Sequence, residues 1–225
     1  MEVYAKIIMQ RGEPAQLVNI ADPRTAETVD LFTVCLALAR QQRFGCQLAE
    51  GLQYDNATHS WNVAVACEQL MHRRGMLVAK QPSPVVFAAL VHDFPEGLGW
   101  GDVISPIKQL MASVLEYSYQ DGHNDCAWGF AKRFGLTQLT MEELDLVKEA
   151  DTLTYLAEDT ALRGAPRQAE FKDAAASDIY DFMVGIVALS ALGFSQDAPE
   201  NIAAKLVSHV GFIQDKIAEW KANLQ

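Results

Sequence analysis

The chain has 225 residues, half of them apolar, and a formal net charge of −11. That length and apolar content suit one large domain with its own core, or two small ones, and leave no room for a disordered chain. So acidic a surface argues against broad contact with nucleic acid, whose affinity comes from neutralising phosphates, but a small phosphorylated ligand held by a few local cations stays open.

The N-terminus, Met1-Glu2-Val3-Tyr4-Ala5-Lys6, lacks the basic and apolar segments of a signal peptide. The longest apolar-rich stretch, residues 179–194, is interrupted by Asp181 and is short for a bilayer. Cys35, Cys46, Cys67 and Cys126 are scattered without CxxC spacing, and three of them lie among apolar neighbours. They read as reduced core thiols in a cytoplasmic protein rather than a disulfide frame or a zinc knot.

Taken in chain order, residues 1–24 read as irregular, with a short extended piece at 16–20. Asp22-Pro23 is a helix start, with Asp as cap and Pro at the first helical position. Leu31, Val34, Cys35, Leu38 and Ala39 then recur at helical spacing, and the helix is expected to run to Arg43-Phe44-Gly45. Residues 46–55 read as a loop. The next helix, 56–75, carries His59, Val63, Ala66, Cys67, Leu70 and Met71 on one face, so His59 points toward the core. Pro82 and Pro84 open a helix that runs through Val85-Val86-Phe87-Ala88-Ala89-Leu90 to His92 and Asp93, and Pro95 is expected to end or kink it. A Gly-rich connection follows (Gly97, Gly99, Gly101), then a helical stretch over 109–134 with a weak break near Gly122. Thr140 with Glu143 forms a capping box for a strong helix whose stripe is Leu144, Val147, Asp151, Thr154, Tyr155, Glu158 and Leu162. That helix ends at Gly164-Ala165-Pro166. Helices over 168–193 and 198–223 complete the chain. No stretch alternates convincingly enough for a sheet, so the expected fold is all-α, one bundle of about seven to eight helices spanning 1–225.

Four polar groups, His59, His92, Asp93 and Asp151, thus sit on core-facing stripes of three helices. A buried charge is costly unless it is paired or bound to a metal. Two imidazoles and two carboxylates suit a borderline divalent ion and leave coordination positions open. Taken singly, His59 reads equally as a hydrogen-bonded core residue, and Asp151 as a cap or a salt-bridge partner.

The ordered set resembles the HD superfamily of metal-dependent phosphohydrolases. The residues that carry the likeness are His59-Ser60, His92-Asp93 with Glu96, Gly101-Asp102 with Pro106 and Lys108, and Glu149-Ala150-Asp151 followed by Glu158, with Arg43-Phe44-Gly45 upstream. This longer pattern, over residues 20–163, is similar to bacterial 5'-deoxynucleotidases and to related phage deoxynucleotide triphosphohydrolases. Trp100 stands where such relatives often have Thr, which touches the pocket shape and not the metal. The resemblance implies a metal site of His59, His92, Asp93 and Asp151 for one divalent ion (cobalt, manganese, zinc, iron, nickel or magnesium). It implies Glu96 as general acid/base, Asp102 as a residue that positions water or sugar, and Arg43 and Lys108 as phosphate partners. Phe44 or Trp100 would stack on a base or serve the core or a lid. The implied substrate is a nucleotide, first a deoxynucleoside monophosphate and in the alternative a triphosphate. A non-catalytic metal or nucleotide sensor is the rival from another class. His123 has no counterpart in the pattern and reads as a surface residue. The apolar surplus of the C-terminal helices leaves a homo-oligomer open.

Overall fold

The computed structural model describes residues 4–7, 16–19, 22–46, 48, 52–76, 83–100, 119–164 and 171–222. Among these the chain is an all-α bundle of eight helices, preceded by one short antiparallel ribbon. The ribbon pairs Tyr4–Ile7 (β1) with Gln16–Asn19 (β2), Tyr4 opposite Asn19. The expected extended piece at 16–20 therefore has a strand partner that the alternation pattern did not suggest. At four residues per strand the period is too short to register.

The first helical stretch is two helices, not one. Pro23–Thr28 (α1) is capped by Asp22, whose side chain accepts from the Arg24 backbone N–H. Leu31–Arg40 (α2) has its own cap in Asp30, whose carboxylate accepts from the backbone N–H of Thr33. A second Asp cap thus overrides the continuous apolar spacing. Helix α2 stops at Arg40, earlier than expected, and Arg43–Cys46 forms a separate 3₁₀ turn. Phe44 is left-handed there, at φ 57.

Asn56–Arg73 (α3) and Pro84–Val91 (α4) follow, with Ser83 and Pro84 opening α4. Helix α4 ends at Val91, so His92 and Asp93 lie in the turn beyond it. Pro95 has no N–H for the Val91 carbonyl, and its ring would crowd that group. The backbone resumes as a wide π-type turn over Glu96–Trp100. Tyr119–Arg133 (α5) is continuous through Gly122, where a break was expected, and carries a half-buried His123. Met141–Arg163 (α6) begins with the Thr140/Glu143 capping box and ends at Gly164, φ 62, in the left-handed position. Leu144, assigned to the buried stripe, is 43% exposed. It lies in the first turn of α6, outside the packed part. Ala174–Leu192 (α7) packs on α6 and α3, and Pro199–Ala222 (α8) packs on α2 and α3.

The buried apolar residues of these helices form one cluster. Cys35, Cys67 and Cys126 are buried free thiols within it. Burial, with Glu68 and Asp125 respectively, pushes the thiols of Cys67 and Cys126 up to about 12. Helix α7 is long and apolar enough to cross a membrane, unlike the shorter stretch expected. Five of its residues, Ala176, Ile179, Met183, Val187 and Ala191, are nevertheless buried in the bundle. Its Phe182, Leu189 and Leu192, with Phe212 of α8, remain exposed.

Candidate metal centre

Helix α3 starts with an unusual polar run. Asp55 caps it, accepting from the Thr58 backbone N–H at 2.8 Å. Residues 55–60 and 62 are all buried. The apolar stripe begins only at Val63, so the first two turns of α3 put polar side chains where a core would be. Such groups must find partners.

His59 Nδ1 lies 2.6 Å from Glu158 Oε1, and its Nε2 lies 3.1 Å from Asp151 Oδ1 and 3.4 Å from Asp93 Oδ2. His92 Nδ1 donates to the Ala89 carbonyl at 2.7 Å. Its Nε2 is 3.2 Å from Asp93 Oδ1 and 3.7 Å from Asp151 Oδ1. The two rings stand 5.4 Å apart. Both imidazoles thus have one nitrogen tied back and the other turned toward the same two carboxylates. His59, His92 and Asp93 form a group that could hold a metal ion. Asp151 is not in this group; it lies beside it against both imidazoles, its side chain 41% exposed.

Two observations test the fit. The His92 Nε2 atom is buried with no hydrogen-bond partner. The spacing agrees in three of four cases: donors about 2.0–2.2 Å from a first-row ion lie about 3–3.5 Å from one another, the nitrogen-to-oxygen separations of 3.1, 3.2 and 3.4 Å fall there, and His92 to Asp151 is longer at 3.7 Å. Charge agrees. Asp93 and Glu158 face one guanidinium, Arg43, and Asp151 lies against the two imidazoles, so with neutral imidazoles these groups carry an excess of two negative charges.

The ionisation of each group follows from that excess. Burial and Arg43 oppose a charge on His59, but Glu158 and Asp151 prevail and raise it to about 10. His92 is also raised: burial opposes, and Asp93 and Asp151 outweigh it. Burial works against ionised Asp93, Asp151 and Glu158, yet the imidazoles hold the first two below the usual carboxylate range. Arg43 and His59 do the same for Glu158. The cluster therefore needs two positive charges, from two protons or from one divalent cation.

Arg43 is buried on the rim of this group. Its NH1 is 3.8 Å from Asp93 Oδ2 and 3.5 Å from Asn56 Oδ1, and its Nε donates to Glu158 Oε2 at 3.2 Å. Glu96 is buried too, 3% exposed. Asn56 Nδ2 donates to Glu96 Oε2 at 2.7 Å and to Gln41 Oε1 at 3.0 Å, while Gln41 Nε2 donates to the Glu96 carbonyl. Gly97 lets this turn press on α2: a Cβ there would lie 2.7 Å from the Val34 carbonyl oxygen.

The structure thus brings together His59, His92, Asp93, Asp151, Arg43 and, through Asn56, Glu96. Phe44 stands near by, but its ring neighbours are the chain's own: Tyr155 at 6.1 Å and the Arg163 guanidinium at 5.2 Å. Asp102 and Lys108 lie outside the described residues, as does the Trp100 side chain. Asn56 was missed by sequence reasoning. The signal existed: Asn56 stands one turn before His59 on the same stripe of α3. The chain matches no protein-family model and no curated protein.

Proposed function

We propose that this chain is a metal-dependent phosphohydrolase of the HD type acting on nucleotides, first of all a 5'-deoxynucleotidase that releases phosphate from deoxynucleoside monophosphates. The observation that carries the reading is the convergence of two imidazole Nε2 atoms and two carboxylates, two negative charges in excess, with a guanidinium on the rim. His59, His92, Asp93 and Asp151 would hold one divalent ion, which when bound supplies a Lewis acid for a phosphoryl oxygen and lowers the pKa of water.

The chain's own residues do the rest. Arg43 presents a planar fork suited to phosphate oxygens, beside Asp93. Glu96, oriented by Asn56, takes the proton of the attacking water and returns it to the leaving oxygen. Asp102 positions the water or the sugar, and Lys108 adds a point charge for the phosphate. The nucleotide substrate class is supported by the order of the motifs, His59-Ser60 to Glu158.

A panel of deoxynucleoside mono- and triphosphates, incubated with cobalt(II)-, manganese(II)- or zinc(II)-loaded protein, tests the reading. Inorganic phosphate from monophosphates is the expected product. Inorganic triphosphate would move the assignment to a triphosphohydrolase. No turnover of any nucleotide by metal-loaded protein overturns it in favour of a sensor.

A further inference from the structure

Glu158 belongs to the motif pattern without an assigned role, and its surroundings define one. The side chain is fully buried on α6, two turns beyond Asp151. Its Oε1 is 2.6 Å from His59 Nδ1, and its Oε2 accepts from Arg43 Nε at 3.2 Å. The Tyr54 hydroxyl lies beside the carboxylate and helps to keep it ionised. Behind it Asn62 Nδ2 donates to the Tyr54 oxygen at 2.7 Å, and the Ser190 hydroxyl donates to Asn62 Oδ1 at 3.1 Å. Polar groups from α7 and α3 thus anchor the hydroxyl that stands beside this one carboxylate.

The two imidazoles are held differently. His92 is oriented by the Ala89 carbonyl, a backbone atom that no substitution removes. His59 depends on a side chain. An acceptor at Nδ1 keeps the proton there and leaves the Nε2 lone pair for a ligand bond, the usual task of an outer-shell carboxylate. Both of Glu158's main partners, Arg43 Nε–H and His59 Nδ1–H, are donors, and only a carboxylate offers two acceptor oxygens. A glutamine would give its oxygen to one and turn its NH₂ on the other. Arg43 can only donate, so it claims the oxygen. The NH₂ then faces His59, which must accept at Nδ1 and carry its proton on Nε2, where a metal cannot bind.

We propose that Glu158 is a positioning residue with two tasks: one oxygen sets His59 in the tautomer that offers Nε2 to the cation, and the other fixes Arg43 beside it. This rests on the metal-site reading above and adds the residue that makes His59 competent.

Cobalt(II) titration of the full chain, wild type against Glu158→Gln, reads it directly. The expected result is a fall of about 10–100-fold in cobalt(II) affinity, with an altered visible spectrum and an unchanged far-UV helical signal. Arg74→Ala is the control for merely loosening α3 from α6, and it leaves cobalt(II) affinity unchanged. Long-range proton–nitrogen correlation on zinc(II)-loaded wild type places the His59 proton on Nδ1. This needs no variant, and it decides the matter together with Tyr54→Phe if Glu158→Gln does not fold. Tyr54→Phe removes one partner of the carboxylate, shifts the His59 Nδ1–H resonance and weakens cobalt(II) binding by less than Glu158→Gln. Unchanged cobalt(II) affinity in folded Glu158→Gln, an unshifted resonance in Tyr54→Phe, or a His59 proton on Nε2 overturns this inference alone. Wild type that binds no cobalt(II) removes the metal-site reading and this inference with it.

Discussion

Two arginine-centred clusters join α3 to α6. At the end of α3, Arg74 donates to both oxygens of Glu149 at 2.9 and 2.7 Å and reaches Asp173, the cap of α7, at 2.8 Å. Near its start, Arg43 contacts Glu158 and Asp93, with two imidazoles and Asp151 alongside. The Arg74 cluster is partly solvated and its donors end on carboxylates of the same cluster. The Arg43 cluster is buried, carries surplus negative charge and leaves a buried imidazole nitrogen without a hydrogen bond. The first arrangement ties helices together. The second spends buried polar atoms on a common point, which helix packing alone does not require. A surplus of aimed donor atoms, more than burial or perturbed ionisation as such, separates a site from a strut.

The largest test of that contrast is Asp93→Ala. It removes a ligand from both imidazoles' side of the site, and metal affinity should fall further than the roughly 10–100-fold typical of outer-shell partners, with nucleotide hydrolysis lost. Arg74→Ala, by contrast, should cost about 1 kcal/mol in urea unfolding and leave metal binding intact. Equal metal affinity in the two variants would erase the distinction. Next comes Glu96→Gln, expected to lower kcat by about 10²–10⁴-fold with cobalt(II) binding retained. Loss of binding instead would make Glu96 a ligand. Gly97→Ala should be milder, about 1–3 kcal/mol in thermal or urea unfolding, because the new Cβ meets the backbone oxygen of Val34 at 2.7 Å. A fall in kcat should accompany it, as the turn carrying Glu96 shifts.

The smallest effect is a difference in pH dependence. In metal-free protein His59 is raised from 6.5 to about 10, so the stabilisation from its proton is full below pH 6.5 and is lost as pH rises through 10. Metal-loaded protein should lack this loss, and metal affinity should rise with pH as the cation displaces protons. Asp173 is held below 3.8, first by the Ala176 backbone N–H and then by Arg74. Its contribution is present above pH 3.8 and fades as pH falls below it. Chemical denaturation across pH, with and without zinc(II), reads both slopes; metal-free protein whose stability does not fall between pH 6.5 and 10 would be the contrary result.

Much of the bundle was readable because helix ends are local chemistry. Asp22-Pro23, Pro84, Thr140 with Glu143, and Gly164 each act within one turn. The division of α1 from α2 was missed because Asp30 caps a helix inside a run whose apolar spacing never breaks. His59 and Asp151 could be picked out as polar residues on apolar stripes. Asn56 gave a weaker signal, one turn before His59 but ahead of the apolar part of its stripe, and Glu158 carried a motif position but no task.

By itself the sequence determined that this is an all-α chain and that His59 faces inward, because helical period and capping depend on near neighbours. Only the tertiary structure decided that Glu158 serves His59 and Arg43 at once, that Asn56 holds Glu96, and that His92 Nε2 is left over. Those contacts close loops of up to 115 residues at hydrogen-bond tolerance, and a shift of an ångström in helix packing would make or unmake them.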